Sequence, residues 1–196
     1  MKKLTLLIAA VILIVSCKNE RITSEEQKRN QKESTEKVEE SKKKPLSPHT
    51  EAMAMIGDAH IHIDYSSPGV RGLIIFVGLV GYDQVCQAGS HMATWLEVNK
   101  DLQINGDVLP KGKYGFFVIP SKESDWTVIF NKNWNQHGKD DYDETEDVIR
   151  FKVTPTISEE VTEQLTYDIK KLSETKGTIS LAWEKVVVNF PFKINQ

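Results

Sequence analysis

From Ala59 to the C-terminus, short runs of Val, Ile, Thr, Phe, Tyr and Trp follow one another, each cut off by Gly, Pro or Asn. Helix signals are nearly absent. Such residues favour pleated backbone, and turn residues at regular spacing keep each strand short. The candidate strands are Ala59 to Tyr65, Leu73 to Val77, Thr94 to Asn99, Lys113 to Ile119, Trp126 to Asn131, Val148 to Val153, Gln164 to Ile169, Thr178 to Glu184 and Val186 to Phe192. Asn105-Gly106, between Leu102-Gln103-Ile104 and Val108-Leu109, is a strong hairpin signal, because a type I′ turn needs positive φ at both central positions. Pro110, Gly112 and Pro120 end neighbouring strands, and the only mildly helical stretch, Ser158 to Gln164, follows Pro155. The expected fold is all-β: one antiparallel sandwich or barrel-like domain of about nine strands over residues 53–196.

Alternation assigns the faces. Ile179, Leu181 and Trp183 point one way and Thr178, Ser180 and Ala182 the other, so the first three are expected in the core. The same rule puts Ile61, Ile63 and Tyr65 inward and leaves His60, His62 and Asp64 in one outward row.

The N-terminus carries a different message. Lys2 and Lys3 precede Leu4 to Val15, apolar apart from Thr5 and too short to cross a bilayer as a stable helix. The stretch ends in Ile14-Val15-Ser16-Cys17, which resembles the bacterial lipobox, a small residue followed by the cysteine that receives diacylglycerol. The expected layout is therefore a signal peptide over residues 1–16, a lipidated Cys17 opening a charged, disordered spacer over 17–52, and the β domain after it. Acyl chains add about 0.8 kcal/mol per buried methylene, so two or three of them hold a protein firmly on a membrane. The resemblance implies a bacterial envelope location, periplasmic or surface-facing. From Lys18 to Thr50, Glu, Lys, Gln, Ser and Asn dominate, a composition that cannot bury a core of its own.

Charge and cysteine usage narrow the function. Residues 51–196 hold 14 basic and 21 acidic side chains, the opposite of the basic footprint nucleic acid requires. If Cys17 is acylated, Cys86 is the remaining cysteine and no internal disulfide forms.

Three site readings remain open. His60 and His62, two apart on a strand, project to one side as two imidazoles sharing a metal would, and His91 with Cys86 would complete a copper or zinc site. The alternative is that the histidines face solvent and Cys86 packs as a small hydrophobe. Trp95, Trp126, Trp134 and Trp183 raise glycan binding through exposed rings, Trp134 being the one most expected at the surface. The acidic run from Asp140 to Asp147 has neither the glycine nor the spacing of an EF-hand loop and reads as a solvated tip. Ser90 next to His91 has no nucleophile-elbow context, and no catalytic apparatus is legible. A binding or structural envelope role leads, with an envelope protein or glycan as partner; a metal-dependent enzyme using His60, His62 and His91 is the alternative.

Several motifs occur together. Tyr65-Ser66-Ser67-Pro68-Gly69-Val70-Arg71-Gly72, Gly78-Leu79-Val80, the Gly89 to Thr94 turn, Ile104-Asn105-Gly106 with Leu109-Pro110-Lys111-Gly112-Lys113-Tyr114, Trp126 to Lys132, and Leu181-Ala182-Trp183-Glu184-Lys185 through Phe190-Pro191 are similar to the domain of unknown function 2911 family of bacterial envelope proteins. The likeness spans about residues 58 to 193 and implies a secreted β-rich domain, without naming a reaction. Where the family commonly has Trp-Arg and Asn-Glu, this chain has Cys86-Gln87 and His91-Met92.

Overall fold

A computed structural model describes residues 45–195. Cys17, the leader and most of the spacer lie outside those residues. Ten strands follow in order: β1 (His49–Ile56), β2 (Ala59–Ser66), β3 (Trp95–Val98), β4 (Leu102–Ile104), β5 (Asp107–Leu109), β6 (Gly112–Ile119), β7 (Trp126–Asn131), β8 (Asp147–Val153), β9 (Thr156–Ser173) and β10 (Lys176–Ile194). They form two antiparallel sheets, a six-stranded one ordered β1-β2-β3-β6-β7-β8 and a four-stranded one ordered β5-β4-β10-β9. The arrangement is a sandwich, not a closed barrel.

The core lies between the sheets. Ile61, Ile63, Leu96, Phe116, Val128 and Phe130 come from the inner face of the larger sheet, and Leu165, Tyr167, Ile179, Leu181, Trp183 and Phe190 from the smaller one, all buried. The core residues expected from alternation, Ile61, Ile63, Tyr65, Ile179, Leu181 and Trp183, are all there. Asn105 and Gly106 both take positive φ, so the β4–β5 hairpin turns as its sequence requires.

Four expectations need correction. Strand β1 straddles the boundary drawn between residues 52 and 53; Ala and Glu are poor strand formers, and this segment is extended because the Gly57-Asp58 turn lays it against β2. Leu73 to Val77 is not a strand: Leu79 and Val80 donate backbone hydrogen bonds to Ile75, Val77 sits at φ 81°, and only Ile75 and Phe76 reach the core. The mildly helical Ser158 to Gln164 is instead the first half of β9, where pairing with β10 overrides weak local preference. The two strands expected around Lys185 are one. In β10 the ladder slips on both sides of Glu184, at φ 56°, so inward residues run Ile179, Leu181, Trp183 before the bulge and Val188, Phe190, Phe192, Ile194 after it.

Candidate functional site

Between β2 and β3 the chain leaves the sheet over residues 67–94. It is fastened where it departs. Ser67 donates its N–H to Pro48 O at 2.8 Å and its hydroxyl to Leu165 O at 2.7 Å, and Val70 N–H donates to Glu163 O at 2.8 Å. Ile75 and Phe76 plug the core, Phe76 meeting Trp126 edge-on at 5.0 Å. It is fastened again before β3: Cys86 and Val118 exchange backbone hydrogen bonds of 2.8 and 2.9 Å, and Ala88 O accepts from Tyr167 OH at 2.9 Å and Thr94 Oγ1 at 3.0 Å.

This anchoring holds an unusual backbone. Among the described residues seven non-glycines have positive φ, and Arg71, Val77, Asp83, Ala88 and His91 are five of them. Each such residue costs on the order of 1–3 kcal/mol, with β-branched valine at the high end, and strain of this kind concentrates where geometry serves binding or catalysis. The other two have plain structural reasons, the Asn105 turn and the Glu184 bulge.

Beneath the strained segment lies a cleft of about 320 Å³. Leu79, Val80 and Val85 supply apolar wall, and Gln84, Gln87 and Ser90 supply neutral hydrogen-bonding groups. Lys139 arrives from the loop after β7 and donates to Val85 O at 2.7 Å, closing the far side. A mostly apolar hollow with a few polar groups is the usual form of a small-ligand site.

Cys86 also lines the cleft. Its Sγ accepts the Ala88 N–H at 3.4 Å, and burial pushes the thiol pKa up, opposed only in part by that hydrogen bond and by the Lys139 charge. The thiolate is the reactive form, so Cys86 should behave as an inert thiol. Iodoacetamide at pH 7.5 is expected to label native protein far more slowly than urea-unfolded protein; equal rates would contradict the geometry.

The expected metal ligands are not gathered into one centre. His60 and His62 do share the outer face of β2, half-buried, with ring centroids 5.9 Å apart. His62 Nε2 lies 3.1 Å from Glu51 Oε2, and its ring meets Trp95 edge-on at 4.9 Å. Cys86 is in the cleft, and His91 is exposed on a left-handed turn where its carbonyl accepts the Gly138 N–H. Among the described residues no three His, Cys, Asp or Glu side chains are grouped so as to hold a metal ion.

The tryptophans divide evenly. Trp126 and Trp183 are core residues, while Trp95 and Trp134 stand half-buried side by side on the outer face, centroids 6.3 Å apart. The Lys113 ammonium sits 3.3 Å from the Trp95 ring centroid and 4.0 Å from that of Trp134. A cation therefore occupies the space between rings that a sugar would have to enter. The acidic run is used internally: Asp143 caps the 3-10 turn Glu144–Glu146, and Asp147 accepts from Asn131, Tyr142 and Arg150.

The sequence singles out Cys86 as a metal ligand or a packed thiol, and gives no sign of Gln84, Gln87 or Lys139 as partners in a cleft. Glutamines carry no motif, and Lys139 comes from more than fifty positions along the chain. Gly81 and Gly89, which bracket the glutamines, were the one available sign of a non-strand segment.

No curated protein and no solved structure matches the chain. A family model matches residues 47–192, nearly all of the described domain, and its description is a protein of unknown function. The chain belongs to that family, DUF2911, as the motifs from Tyr65 to Pro191 imply.

Proposed function

We propose that the chain is a bacterial envelope lipoprotein, anchored through acylated Cys17, whose domain lies against the bilayer and binds a neutral ligand in the cleft. The observation that carries this reading is an exposed apolar loop over residues 73–79. The preceding chain joins the domain at Pro48, whose carbonyl is hydrogen-bonded to Ser67. A few residues on, Leu73, Ile74, Val77 and Leu79 are 49, 70, 66 and 59% exposed. Between Asp64 and Asp83 there is no acidic residue and there is one arginine, in a domain otherwise rich in carboxylates. Removing even part of four aliphatic side chains from water is worth several kcal/mol, and the Glu163 carboxylate beside the segment is engaged by the Arg71 N–H at 2.7 Å. No helix among the described residues is long and apolar enough to span a membrane.

The cleft opens beside the loop, since Leu79 belongs to both. Its two amides and one hydroxyl suit a hydroxyl- or amide-bearing ligand such as an envelope glycan, and Lys113 between the tryptophans makes the cleft the better place for it. The test has two parts. Mass spectrometry of the full chain purified from bacterial membranes is expected to show a mature N-terminus at Cys17 with acyl adducts, absent from Cys17→Ser; an unmodified N-terminus elsewhere overturns the anchor. A thermal-shift screen against envelope polysaccharides and peptidoglycan fragments is expected to find a stabilising ligand whose effect is lost in Gln87→Ala. Stabilisation untouched by that substitution moves the ligand away from the cleft.

A further inference from the structure

Every methionine in the described chain is at the surface: Met53, Met55 and Met92 are 52, 53 and 51% exposed, and none is in the core. Thioether side chains ordinarily fill interiors. Met53 and Met55 share the outer face of β1, where the register sets Met53 opposite His62 and Met55 opposite His60.

The hairpin makes these contacts close ones. β1 and β2 are joined by the two residues Gly57-Asp58, with Ile56 facing Ala59. The closing pair of a two-residue hairpin is hydrogen-bonded, and pair types alternate from there. Met55–His60 and Met53–His62 are therefore both non-hydrogen-bonded pairs, the kind whose Cα atoms approach to about 4.5 Å and whose side chains are nearest. Two imidazoles and two thioethers thus occupy the corners of one patch on an edge hairpin.

We propose that Met53, Met55, His60 and His62 bind Cu(I). The donor set is uncharged and half sulfur, which suits a soft monovalent ion over a hard divalent one. Ring nitrogens about 2.0 Å from a common ion place two imidazole centroids roughly 5–6 Å apart, and those of His60 and His62 are 5.9 Å apart. Glu51 at His62 Nε2 is the outer carboxylate that fixes which nitrogen of a ligating imidazole is free. Trp95, edge-on to His62, walls one side. Cys86 and His91 have no part in this site, and none of its four residues lines the cleft. The ion enters and leaves as Cu(I), with no change of oxidation state.

The experiment uses the full chain without a polyhistidine tag, carrying Cys86→Ser, titrated anaerobically with Cu(I) against a chromophoric chelator. One Cu(I) per chain is expected, with X-ray absorption showing sulfur near 2.3 Å. Glu51→Gln is expected to weaken binding about tenfold. Met53→Leu together with Met55→Leu should weaken it further and remove the sulfur signal, with an unchanged melting temperature confirming the fold. Less than a tenth of an equivalent bound, or affinity unchanged by the paired leucine substitutions, overturns the proposal.

Discussion

Phe116→Ala is expected to lower the free energy of unfolding by about 3–5 kcal/mol, read as a fall in the urea midpoint at unchanged slope. Phe116 is fully buried at the middle of β6 and touches aromatic rings from both sheets. It meets Phe130 of its own sheet at 4.9 Å and, across the sandwich, Tyr167 at 5.2 Å and Phe190 at 6.1 Å, all edge to face. Truncation removes the transfer energy of the ring and leaves a hole bounded by three other rings that β-sheet backbone cannot readily move to fill. Against a typical net stability of about 5–15 kcal/mol, the loss consumes a large share of the whole. A change below about 1 kcal/mol would mean that the two sheets do not depend on this contact, since surface substitutions commonly fall within about 0.5 kcal/mol.

Tyr167 should show two separable effects. Its ring is core, and its hydroxyl, held protonated by burial that raises its pKa well above the usual tyrosine value, donates to Ala88 O. Tyr167→Phe keeps the ring, and Ala88 O retains the Thr94 hydroxyl, so the cost is about 1 kcal/mol. Tyr167→Ala loses the ring as well and is expected to cost about 3–5 kcal/mol. It also frees the strained Ala88 turn two residues from Cys86. Alkylation of Cys86 in folded protein should therefore accelerate sharply in the alanine variant and hardly at all in the phenylalanine one. Equal rates in both would show that the ring does not hold the segment in place. Because Tyr167 touches Phe116, the Phe116→Ala, Tyr167→Ala pair should be less than additive.

Much of this architecture is written in alternation. Ile61, Ile63 and Tyr65 declare a face, Asn105-Gly106 declares a turn, and the apolar phase change between Trp183 and Val188 marks the bulge, although by itself it reads equally well as a break between strands. β1 was hidden because Ala52 and Ala54, its inward residues, are too small to announce a buried face, and its extension comes from its partner. Leu73 to Val77 misleads for the opposite reason. Its aliphatics are strand-like in type, but Gly72, Gly78 and the left-handed Val77 deny it an extended path. The site follows the same division. That His60 and His62 share a side follows from strand geometry alone. That Met53 and Met55 stand opposite them depends on a register set by Gly57-Asp58 and was out of reach while β1 was unrecognised. The cleft depends on contacts between residues 67–94 and Lys139, which no local pattern encodes.

The Glu184 bulge also governs which lengths of chain this fold can accept. It absorbs the one residue by which the inward phase changes from odd at Trp183 to even at Val188. A deletion between them that keeps the left-handed kink would turn Val188, Phe190, Phe192 and Ile194 to the solvent side together, whereas loss of Glu184 itself removes the kink and returns the strand to plain alternation with the same four residues inward. Which residue is lost, rather than how many, decides what a one-residue deletion costs, and Glu184 is the one this stretch can spare.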